Sequence, residues 1–166
     1  MTSGMCPPAL RRGWFPVARA VDLDRPRKAT VHGRRLVAFR TADGQPRVLA
    51  DRCLHRGGTL HLGVVVGDSI ECPYHGWQWR GVDGQCVHIP SNGPSAPIPK
   101  ASLIGKVIGA FPAVERYGLI WTCVGDQLTG PAASLRLDAR RAFRRWTRQA
   151  RLSRRLSPRQ SRCPHR

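Results

Sequence analysis

No stretch of this chain reaches the roughly 18 uninterrupted apolar residues that a membrane-spanning helix requires, so a soluble, cytoplasmic protein with no membrane partner is expected. Nor is an export signal expected. The twin arginines Arg11-Arg12 are followed only by Gly13-Trp14-Phe15-Pro16-Val17-Ala18 before Arg19 and Asp22, which is too short and too interrupted for a signal core. They read as a charged lead-in, residues 1–12, to a first strand. Without export, the six cysteines are expected to stay reduced or to bind metal rather than to pair as disulfides. Acidic side chains are scarce, ten against 28 Lys and Arg, for a formal net charge of +18. That imbalance is uneven: through Asp126 the net charge is +7, and from Gln127 onward twelve arginines, no lysine and one aspartate give +11. A basic excess concentrated in the tail is weak evidence for a nucleic-acid face on the folded part, and no nucleic-acid partner is expected there.

Helical periodicity is also lacking until Ser134. From there Leu135, Ala139, Ala142, Phe143, Trp146 and Ala150 recur at helical spacing among arginines, a pattern that could lie on a membrane or grip phosphates. Arginine without lysine, with Ser and Pro scattered freely, is equally what a frame-shifted reading of a GC-rich gene produces. Residues 127–166 are therefore read as a disordered tail or a frame-shift product. No internal repeat is visible.

What is present is punctuation. Seventeen Gly and fourteen Pro divide short apolar runs, the mark of a turn-rich all-β domain, and 166 residues suffice for one such core. Arg34–Arg40 and Arg47–Ala50 flank an Asp43-Gly44 turn and predict a hairpin whose end leads straight into Asp51-Arg52-Cys53. A short strand at Ser69-Ile70-Glu71 delivers Cys72 in the same manner. Trp77–Arg80 alternates as a strand before a second Asp-Gly turn at Asp83-Gly84, and its aromatics are expected to pack on the sheet. The proline-rich run from Ile89 to Pro99 should be extended, and Lys106–Phe111 and Tyr117–Val124 read as closing strands.

Two loops thus carry Cys53-Leu54-His55 and Cys72-Pro73-Tyr74-His75, with sixteen residues between them. Thiolate and imidazole together point to zinc or to an iron-sulfur cluster. Structural zinc sites usually place like ligands side by side in a tight knuckle, whereas here each loop gives one sulfur and one nitrogen. A 2Fe-2S centre with two thiolates on one iron and two imidazoles on the other requires that division. Cys53 and Cys72 would then hold an inner iron, and His55 and His75 an outer iron near the surface. Gly57, Gly58 and Gly76 would let backbone amides approach the bridging sulfides.

This arrangement closely resembles the Rieske motif. The stretches Asp51-Arg52-Cys53-Leu54-His55-Arg56-Gly57-Gly58 and Cys72-Pro73-Tyr74-His75-Gly76-Trp77 are similar to the branch found in Rieske non-heme iron (aromatic ring-hydroxylating) oxygenases, over residues 13 to 126. The resemblance implies a Rieske-type fold of stacked antiparallel sheets with a two-loop cluster-binding subdomain. It implies a Rieske 2Fe-2S cluster on Cys53, His55, Cys72 and His75, a ferredoxin or flavin reductase as electron donor, and a mononuclear iron oxygenase domain as acceptor. Cytochrome bc relatives carry a disulfide and a cluster-bonding serine at positions that here read Gly58, Tyr74 and Trp77, so a potential at the low end of the Rieske range is expected. After Asp126 only His165 and Asp138 remain among candidate iron ligands, too few for a two-His-one-carboxylate site, and no catalytic residue is assigned.

Three functions are compatible with these features. The first is the electron-transfer domain of an aromatic ring-hydroxylating dioxygenase or O-demethylating oxygenase, cut off before its catalytic iron domain. The second is a stand-alone Rieske ferredoxin, disfavoured by the long proline-rich segment. The third is a zinc-containing nucleic-acid-binding protein. The other cysteines and histidines receive plainer readings: Cys86 and Cys123 as buried thiols, Cys6 and Cys163 in disordered ends, and His32, His61 and His88 as surface or internally satisfied polar groups.

Overall fold

The computed structural model describes residues 13–93 and 107–124. The lead-in 1–12, most of the proline-rich run and the arginine-rich tail with its candidate helix lie outside the described residues, as do Cys6 and Cys163. Within them, strands form three antiparallel sheets, as expected for the all-β class. In the first sheet β1 (Trp14–Arg19) pairs with β11 (Leu119–Cys123), which also pairs with β10 (Ala113–Arg116). A second sheet runs β2 (Arg27–Val31), β3 (Arg34–Arg40), β4 (Pro46–Ala50) and β9 (Ala110–Phe111). The third is a meander of β5 (Val64–Val66), β6 (Ser69–Glu71), β7 (Gln78–Arg80) and β8 (Cys86–His88).

The second sheet separates two cores because β3 is buried on both faces. Side chains alternate along a strand, so Leu36 and Ala38 join one core with Val17 and Ile120 of the first sheet, while Val37 and Phe39 join another with Ile70 and Trp79 of the third. All four β3 residues have 0% exposure, and burial of each large side chain is worth about 1.5–3 kcal/mol. Cys53 and Cys72 belong to the core under the third sheet.

The expected hairpin forms, with Arg40 opposite Pro46 and the Asp43-Gly44 turn closed by a Thr41 N–H to Gln45 carbonyl bond of 3.0 Å. The second Asp-Gly turn forms as well: the Asp83 carboxylate accepts the Gln85 N–H at 3.0 Å and pairs with Arg80. Two further tight turns were hidden in runs that read as strand or as plain surface. His32 and Gly33 have φ of 49° and 76° between the paired Val31 and Arg34, and Tyr117 and Gly118 have 55° and 69° between Arg116 and Leu119. Two successive residues at positive φ match the right-handed twist of a two-residue hairpin. The closing strand therefore begins at Leu119, not Tyr117.

Two other expectations are corrected. In the described part of the Lys106–Phe111 run, 107–111, only Ala110–Phe111 pairs as a strand, because Val107 instead bridges Gln85 and the Ile108 N–H bonds the Gly84 carbonyl at 3.0 Å. Pro90–Asn92 is a 3-10 turn rather than extended chain, since proline suits the first turn of a helix. Cys86 and Cys123 are buried thiols as expected, and among the described residues no cysteine is in a disulfide. No described helix is long and apolar enough to cross a membrane.

Candidate metal centre

The two cysteine loops share one backbone closure that their sequences do not advertise. In each, the cysteine carbonyl accepts the N–H of the glycine four residues on, Gly57 for Cys53 and Gly76 for Cys72, both at 2.9 Å. In each, the cysteine N–H also donates to the carbonyl five residues on, Gly58 at 2.8 Å and Trp77 at 2.9 Å. The closing glycines sit at φ of 74° and 69°, in the left-handed region where a Cβ is costly. A short Cys-x3-Gly ring is therefore built twice, with histidine at its third residue in one loop and its fourth in the other.

These rings sort the four candidate side chains by depth. Cys53 and Cys72 are 1% and 2% exposed, whereas His55 is half-buried and His75 is exposed. The sulfurs neighbour each other. Burial pushes the Cys53 thiol up in pKa, the His55 backbone N–H and the Trp79 indole act against that, and Cys72 beside it adds to the rise. The imidazoles meet each other separately, with ring centroids 4.6 Å apart and planes at 70°. His55 turns its Nδ1 inward, away from solvent, although the ring itself is partly open. Like is thus brought to like across the loops, thiol to thiol inside and imidazole to imidazole outside. Among the described residues no three His, Cys, Asp or Glu converge as a single-ion site.

The space between the loops is shaped by what is small. A Cβ on Gly58 would lie 2.8 Å from the Cys72 sulfur and 3.4 Å from the Tyr74 Cβ. Positions 58 and 74 therefore face each other at about the Cβ separation of a disulfide, where this chain has glycine and tyrosine. Pro90, from the 3-10 turn, covers the second ring, since a Cβ on Gly76 would meet its Cγ at 2.8 Å. Trp77 does not simply pack on the sheet: its ring stacks on His55 with centroids 4.5 Å apart and planes 5° from parallel. Tyr74 tilts against His75 at 3.9 Å.

A second feature escaped sequence reasoning. The Asp51 carboxylate, 3% exposed, accepts the His61 backbone N–H at 2.9 Å and contacts its Nδ1 at 2.6 Å. It clasps the start of the first loop to the 3-10 turn Leu60–Leu62 that ends it. His61 is thus internally satisfied, as expected. His32 packs edge-on against Phe15 at 4.5 Å.

Buried paired thiols, outward paired imidazoles and a cradle too narrow for a Cβ suit the donor set and space that a 2Fe-2S centre of mixed ligation requires. The model for the Rieske [2Fe-2S] domain family matches residues 13–112. The chain belongs to this family, and its cofactor is a Rieske-type 2Fe-2S cluster. Among curated relatives, it is 41% identical over 118 residues to the oxygenase component of chloroacetanilide N-alkylformylase from Rhizorhabdus wittichii, covering 70% of this chain and 32% of that protein. It is 40% identical over 119 residues to the phenoxybenzoate dioxygenase subunit alpha of Ectopseudomonas oleovorans, covering 70% and 27%. The structure of dicamba monooxygenase bound to dicamba is similar with a TM-score of 0.66 at 34% identity, covering 78% of this chain and 37% of that one. The chain spans about a third or less of these curated relatives.

Proposed function

We propose that residues 13–126 are the electron-transfer domain of an aromatic ring-hydroxylating or O-demethylating oxygenase, with Cys53 and Cys72 on the inner iron and His55 and His75 on the outer one. The observation that carries the ligand assignment is the segregation by depth: sulfurs enclosed at 1% and 2% exposure, imidazoles paired at the surface. When bound, the cluster supplies one-electron transfer at a potential that neutral imidazoles raise above that of all-thiolate centres. The chain's own residues do the rest. Burial around Cys53 and Cys72 keeps water from the sulfurs, and Trp77 holds the His55 ring in one orientation from its face. His75 and Tyr74 stand open to a partner surface.

The oxygenase reading rests on relatives that carry oxygenase or dioxygenase in their names and on the absence of the bc-type pair at positions 58 and 74. A ferredoxin or flavin reductase in the cytoplasm is the proposed donor, and a mononuclear iron domain the acceptor. With Gly58, Tyr74 and Trp77 in place of the bc-type residues, the potential should fall in the lower part of the span of about −150 to +300 mV.

Anaerobic loading with iron and sulfide tests this reading. The protein should bind two irons and two acid-labile sulfides per chain and, once reduced, give an EPR signal with average g below the free-electron value. His75→Cys should keep the iron and lower the potential, because a thiolate adds negative charge. Stoichiometric zinc without labile sulfide, or an unchanged potential in His75→Cys, would refute the assignment.

A further inference from the structure

Charge is not balanced evenly over the described residues. Asp22, Asp24, Asp51, Asp83 and Glu115 are matched by Arg19, Arg27, His61, Arg80 and Arg40. Lys28, Arg35, Arg52 and Arg56 are exposed, and none of them makes an ion pair among the described residues. Four uncompensated cations on one molecule are ordinary when scattered over its surface; here the fold gathers them.

Strand register does the gathering. Lys28 lies opposite Val37, and Thr30 opposite Arg35, so these side chains share one face of the second sheet. It is the face on which Val37 is buried against the third sheet. Lys28, Thr30 and Arg35 on that same face are exposed, so the covering layer stops short of β2 and leaves an open ledge. The ledge runs into the first cysteine loop, because the Asp51 N–H donates to the Arg35 carbonyl at 3.0 Å and Arg52 follows at once. Arg52 and Arg56 then bracket His55 and Leu54, which is 41% exposed. A Cβ on Gly57 would lie 3.8 Å from Arg52 Nε, so that guanidinium lies along the loop. Arginines around a small apolar centre have the composition of a protein interface. Charge steering raises the rate of encounter without a large buried area, which suits a one-electron centre whose donor must dock and leave once per electron.

We propose that Lys28, Arg35, Arg52 and Arg56 form the docking surface for an acidic electron-carrier protein, which meets the chain along the β2–β3 ledge and delivers its electron on the His55 side of the first loop. One electron passes from the reduced carrier to the oxidised cluster, and no bond forms or breaks. Phosphates would also answer these cations, but a stripe that ends at Leu54 and His55 favours a redox protein. The inference rests on the reading of residues 13–126 as an electron-transfer domain and names the chemistry of its donor.

The test uses the full chain loaded with iron and sulfide, with an acidic plant-type 2Fe-2S ferredoxin, lower in potential than Rieske centres, as the probe. Calorimetry reads binding of the oxidised ferredoxin, and stopped-flow absorbance reads cluster reduction by the reduced one. Both are measured at about 0.01 M salt, where charges act over about 30 Å, and at about 1 M, where they act over about 3 Å. Lys28→Glu and Arg35→Glu should each weaken binding and slow second-order reduction about fivefold in low salt, with the difference gone in high salt. Neither residue is on a cysteine loop, and redox titration of both variants should match the parent, so the lost rate belongs to docking. Arg116→Glu makes the same change in net charge at the turn between β10 and β11, in the sheet that packs on the other face of the second. It should stay within about twofold of the parent. An equal effect from Arg116→Glu, no dependence on salt, or a loaded parent that does not bind the ferredoxin overturns the proposal. Tighter binding of a short duplex DNA at the same salt also overturns it and assigns the stripe to phosphate. Should Arg35→Glu fail to fold, Lys28→Glu decides. A parent that assembles no cluster would instead remove the electron-transfer reading itself, and the surface with it.

Discussion

Replacing Asp51 by alanine isolates the clasp that holds the first cysteine loop. Its carboxylate makes two contacts with His61, to the backbone N–H at 2.9 Å and to Nδ1 at 2.6 Å. Losing the acceptor leaves the part-buried backbone N–H without it, at up to about 1–3 kcal/mol. The imidazole contributes less, because the His61 side chain keeps 20% of its exposure and its nitrogen can turn to water. Against these losses stands the desolvation of a carboxylate at 3% exposure, which the alanine variant escapes. The net should be about 2 kcal/mol, or a fall of roughly 6–12 °C in the melting temperature of a domain this size. Thermal unfolding of the loaded protein followed by circular dichroism measures it. A double-mutant cycle with His61→Ala then separates the two contacts, since His61→Ala keeps the backbone N–H. The side-chain coupling should be about 1 kcal/mol. A melting temperature for Asp51→Ala within about 2 °C of the parent would refute the clasp, and a coupling near zero would refute its imidazole half.

Other perturbations act on the cradle and on a turn. Gly58→Ala places a Cβ 2.8 Å from the Cys72 sulfur, so the chain should fold but take up most of its iron only weakly; colorimetric iron per chain checks this, and full occupancy would show that the loops have room to spare. Asp83→Asn tests a pH effect. Hydrogen bonds from Arg80 hold the Asp83 carboxyl below the usual carboxylate range. Its stabilisation is therefore present above the unfolded pKa and lost as pH falls through the lower folded value. The two side chains are 35% and 34% exposed and so partly screened by solvent, and at neutral pH the variant should melt only about 1–2 °C below the parent. That gap should close in acid, and a gap that widened as pH fell would contradict the direction of the shift.

Much of this molecule could be read before its structure, and the reasons differ by feature. The strands around Asp43-Gly44 and Asp83-Gly84 were legible because an Asp-Gly pair between apolar runs has few other uses. The ligand loops were legible from spacing, since one sulfur and one nitrogen per loop suit two irons better than one zinc. His32-Gly33 and Tyr117-Gly118 were not, because an aromatic ring is common in strands and nothing local marks it as a turn residue. The Asp51–His61 clasp joins residues ten apart with no motif, and Trp77 on His55 depends on how two loops meet. The shared ring closure of the loops was invisible for another reason: it repeats in hydrogen bonds, while the residues between cysteine and glycine differ.

The division of the interior by β3 has a consequence for a cell short of metal. The core between the first and second sheets contains neither Cys53 nor Cys72, so nothing in its packing waits for iron. That half should therefore fold without iron and hold through a period of starvation, with only the half beneath the third sheet, which contains both cysteines, left incomplete. Amide exchange on the iron-free chain would then report slow protons in β1 and β11 beside quick ones in the two loops, the pattern of a polypeptide stored ready for late filling.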